Sequence, residues 1–183
     1  MPSVSDKKRV AQSFELLLDQ QTIQKRVAEL GAQISRDYAG ETVVLIGVLK
    51  GCVIFLADLM RHINLPLELE FVSATSYRKG TTRETEIVFS GGVKVPLKGR
   101  HVLLVDGVID SARTVTTVIQ WLQKEEPASL EIVTLLDKPA SHRTRINLKY
   151  RGFAVGNDFV IGYGLDNTQK YRNLPFVGRM VDK

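Results

Sequence analysis

The chain has 183 residues, of which 44% are hydrophobic and 25% charged, and its formal net charge at pH 7 is +5. These values are typical of a globular domain with a sizeable core, and no apolar run is long enough to cross a bilayer. Residues 1–19 lack the continuous apolar core of a secretory signal, and the only cysteine, Cys52, cannot form an internal disulfide. We therefore expect a cytoplasmic protein with no membrane partner.

The positive charge allows two interpretations. It favours either a basic face for nucleic acid or a site for a multiply phosphorylated small molecule. The longest basic cluster is the Lys-Lys-Arg run at residues 7–9, which is too short to decide between them.

Short β-branched runs alternate with helical segments along the chain, without an internal repeat or a low-complexity linker. The spacing of apolar residues predicts helices over residues 22–38, with Thr22 as cap, 52–63 and 114–124. Apolar runs predict strands over residues 42–48, 67–74, 86–89, 101–105, 130–136 and 159–161. The polar residues 75–85 have no clear period, and we expect a mobile loop there.

This alternation predicts an α/β fold, a doubly wound and mostly parallel sheet with helices on both faces. We expect a single domain over residues 1–183, in which residues 1–20 are an N-terminal extension or helix. Ligands of such sheets bind beyond the carboxyl ends of the strands. The loops that begin near Lys50, Asp106, Lys138 and Tyr163 are therefore expected to converge on one site.

Residues 102–114 carry the strongest functional signal. A buried strand runs into Asp106, Asp110 follows four positions later, and Ser111 and Thr114 stand at the start of a helix. The free amides of a helix N-terminus and the two hydroxyls suit a phosphate, whereas the carboxylates suit sugar hydroxyls, a metal-bound water or a proton. By itself the loop is equally consistent with a plain helix cap at Asp110 or Ser111 and a turn at Asp106.

This loop resembles the phosphoribosyl-diphosphate motif of type I phosphoribosyltransferases: an apolar strand, two acids, two apolar residues, then Asp, Thr, Gly, any residue and Thr. From about Thr22 to the C-terminus, the chain resembles the hypoxanthine–guanine branch. The resemblance implies that family's fold with a small hood region. It also implies a magnesium-dependent purine salvage reaction, in which 5-phosphoribosyl passes from phosphoribosyl diphosphate to hypoxanthine or guanine and gives IMP or GMP.

The resemblance assigns a role to each part of the loop. A nitrogen of the purine imidazole ring displaces diphosphate through a loose, cationic transition state, and Asp110 takes the proton from the base or steadies the developing charge. The 5-phosphate is anchored by the four residues Ser111, Ala112, Arg113 and Thr114. Fixing the remote phosphate orients the reacting atoms without joining in the chemistry.

Two earlier segments match the family in order. Lys50 and Gly51 follow the first buried strand, where the family receives the diphosphate and often has a cis peptide bond. Ser76 and Tyr77 stand in the polar segment, where the family carries a lid that closes and excludes water. Without the resemblance, the first pair is an ordinary strand-to-helix turn and the second a surface loop.

Four later residues complete the implied site. Lys138 donates to the 6-oxo group of the purine, Phe159 stacks on the ring, and the backbone of Val160 reads the base edge. By themselves Lys138 is a surface lysine and Phe159 a core aromatic residue. Asp166, together with Asp106, holds Mg²⁺ through carboxylate oxygens. Arg172, otherwise a surface ion-pair residue, clamps the diphosphate.

The match fails at two positions of the loop. Gly107 stands where the family has the second acid, so we expect weaker ribose binding or an altered magnesium position. Ala112 stands where the family has glycine, and its methyl group is expected to crowd the phosphate or to disfavour a positive φ.

Two other functions stay open. One is a pyrimidine-type phosphoribosyltransferase that regulates by binding RNA, against which the pairing of Lys138 with Phe159 argues. The other is a nucleotide sensor without catalysis, which Gly107 and Ala112 suggest. The favoured function implies a homodimer or homotetramer and no nucleic-acid partner. The three histidines show no metal-site spacing and are expected to be structural or exposed: His62, His101 and His142.

Overall fold

The computed structural model describes residues 14–78, 85–90 and 92–181, the side chains of residues 74–90 excepted. The helices are α1 Gln20–Asp37, α2 Val53–Arg61 and α3 Arg113–Gln123. The strands are β1 Phe14–Leu18, β2 Val43–Leu49, β3 Leu67–Arg78, β4 Thr85–Ser90, β5 His101–Ile109, β6 Ser129–Asp137, β7 Tyr150–Ala154, β8 Val160–Ile161 and β9 Val177–Met180.

The main sheet has six strands in the order β4-β3-β2-β5-β6-β7. All neighbouring strands are parallel except β3 and β4, which run antiparallel. The predicted doubly wound, mostly parallel sheet is thereby confirmed. The chain passes from β2 outward to β3 and later returns to β5 on the other side of β2. Beyond the carboxyl ends of β2 and β5, where the winding reverses, such sheets hold their ligands.

The apolar run of β2 is explained by burial on both faces of the sheet. Val43 and Leu45 belong to a core cluster with α1 and α2, whereas Val44 and Ile46 belong to a second cluster with α3. All four side chains are fully buried. Because both faces are covered by helices, the strand has no polar face, in contrast to the alternating pattern of a half-exposed strand.

A second, three-stranded antiparallel sheet has the order β1-β9-β8. It corresponds to the small hood region that the resemblance implies. Strand β7 of the main sheet is absent from the sequence prediction, and so are β1 and β9. For β1 and β9 the pairing of Phe14 with Met180 shows why, since each of these short strands is stabilised by a partner from the opposite end of the chain. Leu16 is 62% exposed, so β1 also lacks the buried pattern that marks a core strand.

Most boundaries differ from the predicted ones by one or two residues, and three differences bear on the site or on a cap. Helix α1 is capped by Asp19, whose carboxylate accepts the Thr22 N–H at 2.7 Å, so the prediction of Thr22 as cap is wrong. Strand β3 continues to Arg78 and pairs with β4, so residues 75–78 are extended strand; residues 79–84 lie outside the described part. Strand β5 continues through Asp106 to Ile109, because its ladder with β6 extends to Asp137.

Candidate active site

Two adjoining cavities lie beyond the carboxyl ends of β2, β5 and β6. The first, of about 230 Å³, is lined by Val48, Leu49, Gly51, Asp106, Val108, Ile109, Asp110, Ser111, Ala112, Thr114 and Val115. The second, of about 280 Å³, is lined by Lys50, Gly51, Val108, Asp110, Lys138, Phe159, Val160, Leu165, Asp166 and Arg172. We call them the loop cavity and the aromatic cavity. Gly51, Val108 and Asp110 line both, so the two cavities form one continuous site.

The N-terminus of α3 faces the loop cavity without a side-chain cap. Its N-cap residue is Ala112, and the cap makes no side-chain hydrogen bond. Backbone amides in the first turn of a helix have no intrahelical partner and suit an anion. Ser111 and Thr114 are half-buried and Arg113 is exposed, so the hydroxyls lie at the cavity wall.

Ala112 has a φ of 62°, in the left-handed region that favours glycine. The alanine therefore has the positive φ that its methyl group was expected to disfavour. Its methyl group is 3% exposed and packs in the second core cluster with Ile109 and Val115. That packing directs the methyl into the core and offsets part of the backbone strain.

Asp106 lies within β5 and is half-buried. Burial raises the pKa of its carboxyl group to about 7, against the opposing effect of hydrogen bonds from the backbone N–H groups of Gly107 and Val108. Cys52 is fully buried nearby; burial and the negative charge of Asp106 raise the pKa of its thiol to about 12. In the described part of the chain, no ion pair involves Asp106, so a cation would find an uncompensated carboxylate there.

The Gly51 carbonyl packs tightly between two other glycines. A Cβ atom at Gly107 would lie 2.6 Å from the Gly51 oxygen and 2.9 Å from its carbon, and one at Gly164 would lie 2.6 Å from the same oxygen. The peptide bond between Leu49 and Lys50, just before this glycine, is cis. Any side chain at position 107 therefore requires the Lys50–Gly51 turn to move.

Asp110 and Lys138 form an ion pair at the junction of the two cavities. The Lys138 Nζ donates to Asp110 Oδ2 at 2.8 Å. The lysine side chain is 6% exposed, whereas the aspartate side chain is 57% exposed. The backbone N–H of Lys138 also donates to the Ile109 carbonyl at 2.9 Å. The lysine is thus held from both ends, and the aspartate stays open to a ligand.

Phe159 and Val160 form one wall of the aromatic cavity. Phe159 is 54% exposed, so its ring is available for stacking. Val160 pairs with Arg179, while the neighbouring carbonyl of Phe159 accepts the Met180 N–H at 2.8 Å. Since ladder bonds alternate along an antiparallel pair, the N–H and C=O of Val160 point to the free edge of β8. A planar ring on Phe159 would find both backbone groups at its edge.

Asp166 and Arg172 pair on the far side of the same cavity. Arg172 Nη2 lies 2.6 Å from Asp166 Oδ1, and Nη1 donates to the Gly164 carbonyl at 2.7 Å. The other oxygen of Asp166 accepts the Gln169 N–H at 2.8 Å. The guanidinium is therefore fixed in orientation beside the Gly51 turn.

Sequence reasoning missed a polar cluster that supports this loop. Asp58 on α2 accepts from the Tyr163 hydroxyl at 2.5 Å and from Gln24 Nε2 of α1 at 2.7 Å. Burial and the Asp58 carboxylate raise the pKa of Tyr163 above its ordinary value. The sequence signal for this loop was the Gly-Tyr-Gly run at 162–164, because glycines mark backbone that adopts a positive φ. In the structure all three residues have a positive φ. The cluster ties the loop to both helices.

Ser76 and Tyr77 lie in β3, opposite Ile87 and Glu86 of β4. Their side chains lie outside the described residues, and their predicted place on a lid stays a prediction.

Among the described residues, no group of three or more His, Cys, Asp or Glu side chains is arranged to hold a metal ion. No helix in the described part of the chain is long and apolar enough to span a membrane.

Comparisons with known proteins all find similarity to one family. The family model described as "Phosphoribosyl transferase domain" matches residues 13–168. The hypoxanthine-guanine phosphoribosyltransferase of Streptococcus pneumoniae is 40% identical over 169 residues, which cover 92% of this chain and 94% of that protein. The hypoxanthine phosphoribosyltransferase of Haemophilus influenzae is 39% identical over 170 residues, covering 91% and 95%. The crystal structure of a Staphylococcus aureus hypoxanthine phosphoribosyltransferase superimposes with a TM-score of 0.89 at 36% identity, covering 99% of this chain and 96% of that one.

Proposed function

We propose a function on the premise that this chain belongs to the phosphoribosyltransferase family and, within it, to the hypoxanthine–guanine branch. It is a purine salvage enzyme that transfers 5-phosphoribosyl from phosphoribosyl diphosphate to hypoxanthine or guanine and releases diphosphate. The names of the relatives favour this activity over an RNA-binding regulator or a sensor without catalysis.

One observation carries the proposal: the cavity that contains an exposed aromatic ring also contains a buried lysine paired with an exposed aspartate. A purine stacked on Phe159 would present its 6-oxo group to Lys138 and its imidazole nitrogen to Asp110. Lys138 donates and cannot accept, so an oxo group suits it and the amino group of adenine does not. Stacking of a base on an aromatic ring contributes about 1–3 kcal/mol.

Asp110 is the group that would take the proton from the base. Without a base it is satisfied by Lys138 at 2.8 Å. When the 6-oxo group engages the lysine, the carboxylate is released to accept the proton of the attacking purine. Its 57% exposure leaves room for the base and the sugar between the two cavities.

The loop cavity would hold the sugar phosphate. The free amides of α3 and the residues Ser111 to Thr114 would bind the 5-phosphate, and the Lys50–Gly51 turn with Arg172 would bind the diphosphate. These contacts leave the anomeric carbon at the shared wall of Gly51, Val108 and Asp110. With the purine held in one cavity and phosphoribosyl diphosphate in the other, their reaction becomes effectively unimolecular.

The acidic residues fit a magnesium ion. Mg²⁺ is usually held by one or two carboxylates together with water and substrate phosphates, so a closed protein cage is not needed. Asp106 is a half-buried carboxyl group whose pKa is raised by burial and which has no ion-pair partner in the described part of the chain, and Asp166 lines the aromatic cavity. Asp106 and Asp166 would hold the ion, which supplies positive charge to the departing diphosphate.

Three further features complete the proposal. Ser76 and Tyr77 lie on the long β3–β4 arm and would close over the site to exclude water. The chain forms one catalytic domain, acts in the cytoplasm and assembles as a homodimer or homotetramer. We expect no nucleic-acid partner.

The test is nucleotide formation from phosphoribosyl diphosphate and Mg²⁺ with hypoxanthine, guanine, xanthine, adenine or uracil. We expect product with hypoxanthine or guanine, and a loss of about 10²- to 10⁴-fold in kcat for Asp110→Asn. Glu29→Gln is the control, because Glu29 forms an exposed ion pair on α1 and lines neither cavity. Folded protein that forms no nucleotide with any base would contradict the proposal.

A further inference from the structure

Asp137 is the most deeply buried carboxylate in the described part of the chain that the proposed chemistry does not use. Its side chain is 2% exposed, and it directly precedes Lys138. Its Oδ1 lies 2.7 Å from His142 Nε2, and its Oδ2 lies 3.1 Å from Arg151 Nη1. His142, which was expected to be structural or exposed, thereby lies next to the residue that precedes Lys138.

Burial of this carboxylate is costly, and stability alone does not explain it. An apolar side chain of similar volume would pack as well without the desolvation of a charge. Asp137 Oδ1 and His142 Nε2 lie within ion-pair distance of each other, and neither atom has another hydrogen-bond partner among the described residues. Each of the two buried polar atoms therefore depends on the other to offset its burial.

This pair brackets the turn that presents Lys138. Between Asp137 and His142 lies the single 3₁₀ turn Pro139–Ser141, in which the Ser141 N–H donates to the Lys138 carbonyl at 2.9 Å. The Asp137–His142 contact closes the turn across its two ends. The ion pair with Arg151 connects the same carboxylate to β7, so the turn is anchored to the sheet.

The closed turn packs directly on residues 109–111. Three bonds join them: Lys138 N–H to the Ile109 carbonyl at 2.9 Å, Lys138 Nζ to Asp110 at 2.8 Å, and Arg143 N–H to the Ser111 carbonyl at 3.1 Å. A lysine side chain is a flexible four-carbon stem. The position of the Lys138 ammonium group therefore depends on the backbone that carries the stem as well as on the bond to Asp110.

We propose that Asp137 is a positioning residue that fixes the Lys138 ammonium group for recognition of the 6-oxo group. It acts through His142, which closes the turn, and through Arg151, which anchors it. The inference rests on the proposed function and deepens it. It assigns part of the discrimination between 6-oxo and 6-amino purines to a carboxylate that does not contact the base.

The test compares Asp137→Asn, which keeps shape but removes the charge, with the parent enzyme. We expect the KM for hypoxanthine to rise about tenfold and the KM for phosphoribosyl diphosphate to change less than about twofold, since small misplacements near the base do not reach the phosphate anchors. The hypoxanthine-to-adenine ratio of kcat/KM should fall by a similar factor. A general loss of stability would not raise the KM for the base alone.

Two variants and one control sharpen the result. His142→Phe should reproduce the effect, and His142→Gln, which keeps an N–H donor near the same place, should restore part of the hypoxanthine affinity. Asp37→Asn is the matched control, because Asp37 also accepts a hydrogen bond, from the Tyr150 hydroxyl at 2.7 Å, but lines neither cavity. It should leave both KM values unchanged.

Equilibrium binding separates the two proposals. IMP and phosphoribosyl diphosphate are titrated calorimetrically into each variant, a measurement that needs no turnover. Weaker IMP binding by Asp137→Asn with unchanged phosphoribosyl diphosphate binding supports the positioning role. Equal weakening of both ligands, or a lower Tm with unchanged IMP binding, overturns it. A parent protein that binds both ligands but forms no nucleotide sinks the proposed activity alone.

Discussion

The loop cavity and the aromatic cavity, the two halves of the site, differ in whether backbone or side chains form them. The loop cavity depends on backbone: the Gly51 carbonyl, the close approach of Gly107, and the uncapped amides of α3. The aromatic cavity depends on side chains, with Phe159, Lys138 and Asp110 as its polar and stacking groups. Under the proposed function, the first half binds phosphates through backbone amides, so it restricts where a Cβ atom is allowed. The second half would recognise the base by its shape and edge, so it restricts which side chain is present.

The largest effect should come from adding a side chain to the backbone half. In Gly107→Asp, the acid typical of the family is restored, but its Cβ would lie 2.6 Å from the Gly51 oxygen. We expect the KM for phosphoribosyl diphosphate to rise at least about tenfold and the free energy of unfolding to fall by about 1–3 kcal/mol, because backbone cannot swing aside. Steady-state kinetics and urea denaturation measure the two quantities.

Gly107→Ala separates bulk from charge and should show most of the same loss. Gly92→Ala is the control, since no atom of the described residues lies within 4 Å of its Cβ position. A lower KM in Gly107→Asp would instead show that the missing carboxylate, and not the space, limits ribose binding.

A smaller effect is expected from removing a side chain in the other half. Phe159→Ala should raise the KM for hypoxanthine about tenfold, from a stacking loss of about 1–3 kcal/mol. Its Tm should change little, because the ring is 54% exposed. Phe55→Ala is the opposite control: its ring is fully buried, so about 3–5 kcal/mol of stability should be lost. If Phe159→Ala lowered the Tm and left the KM unchanged, the ring would be a packing residue.

The smallest effect concerns Asp106, a carboxylate that lines the backbone half. Its pKa is about 7 in the folded chain against 3.8 as the ordinary value, so the folded state binds more protons between these pH values. The free energy of unfolding should therefore fall as the pH rises from about 4 to about 7. Urea denaturation at pH 5 and pH 8 should show a smaller difference in Asp106→Asn than in the parent. An equal difference in the two proteins would mean that other groups cause it.

The sequence predicted the main sheet well because its signals are local. The apolar run of β2 is buried on both faces, and the helical spacing of α1 gives one buried side. It did not predict β7 at the edge of the main sheet, nor β1 and β9, which pair across almost the whole chain length. The end of β5 was placed too early, since an aspartate normally marks a turn, but here the ladder with β6 carries Asp106 inside the strand.

The sequence by itself determined the fold class and the order of the candidate site residues. These follow from residue type and spacing, which are local quantities. Only the tertiary structure decided that Gly107 is required by the Gly51 carbonyl, that Lys138 is buried against Asp110, and that Asp137 and His142 close the turn between them. The first two depend on distances between atoms on separate segments, and the third depends on the path of the turn. Tertiary packing determines all three, and no local sequence pattern encodes them.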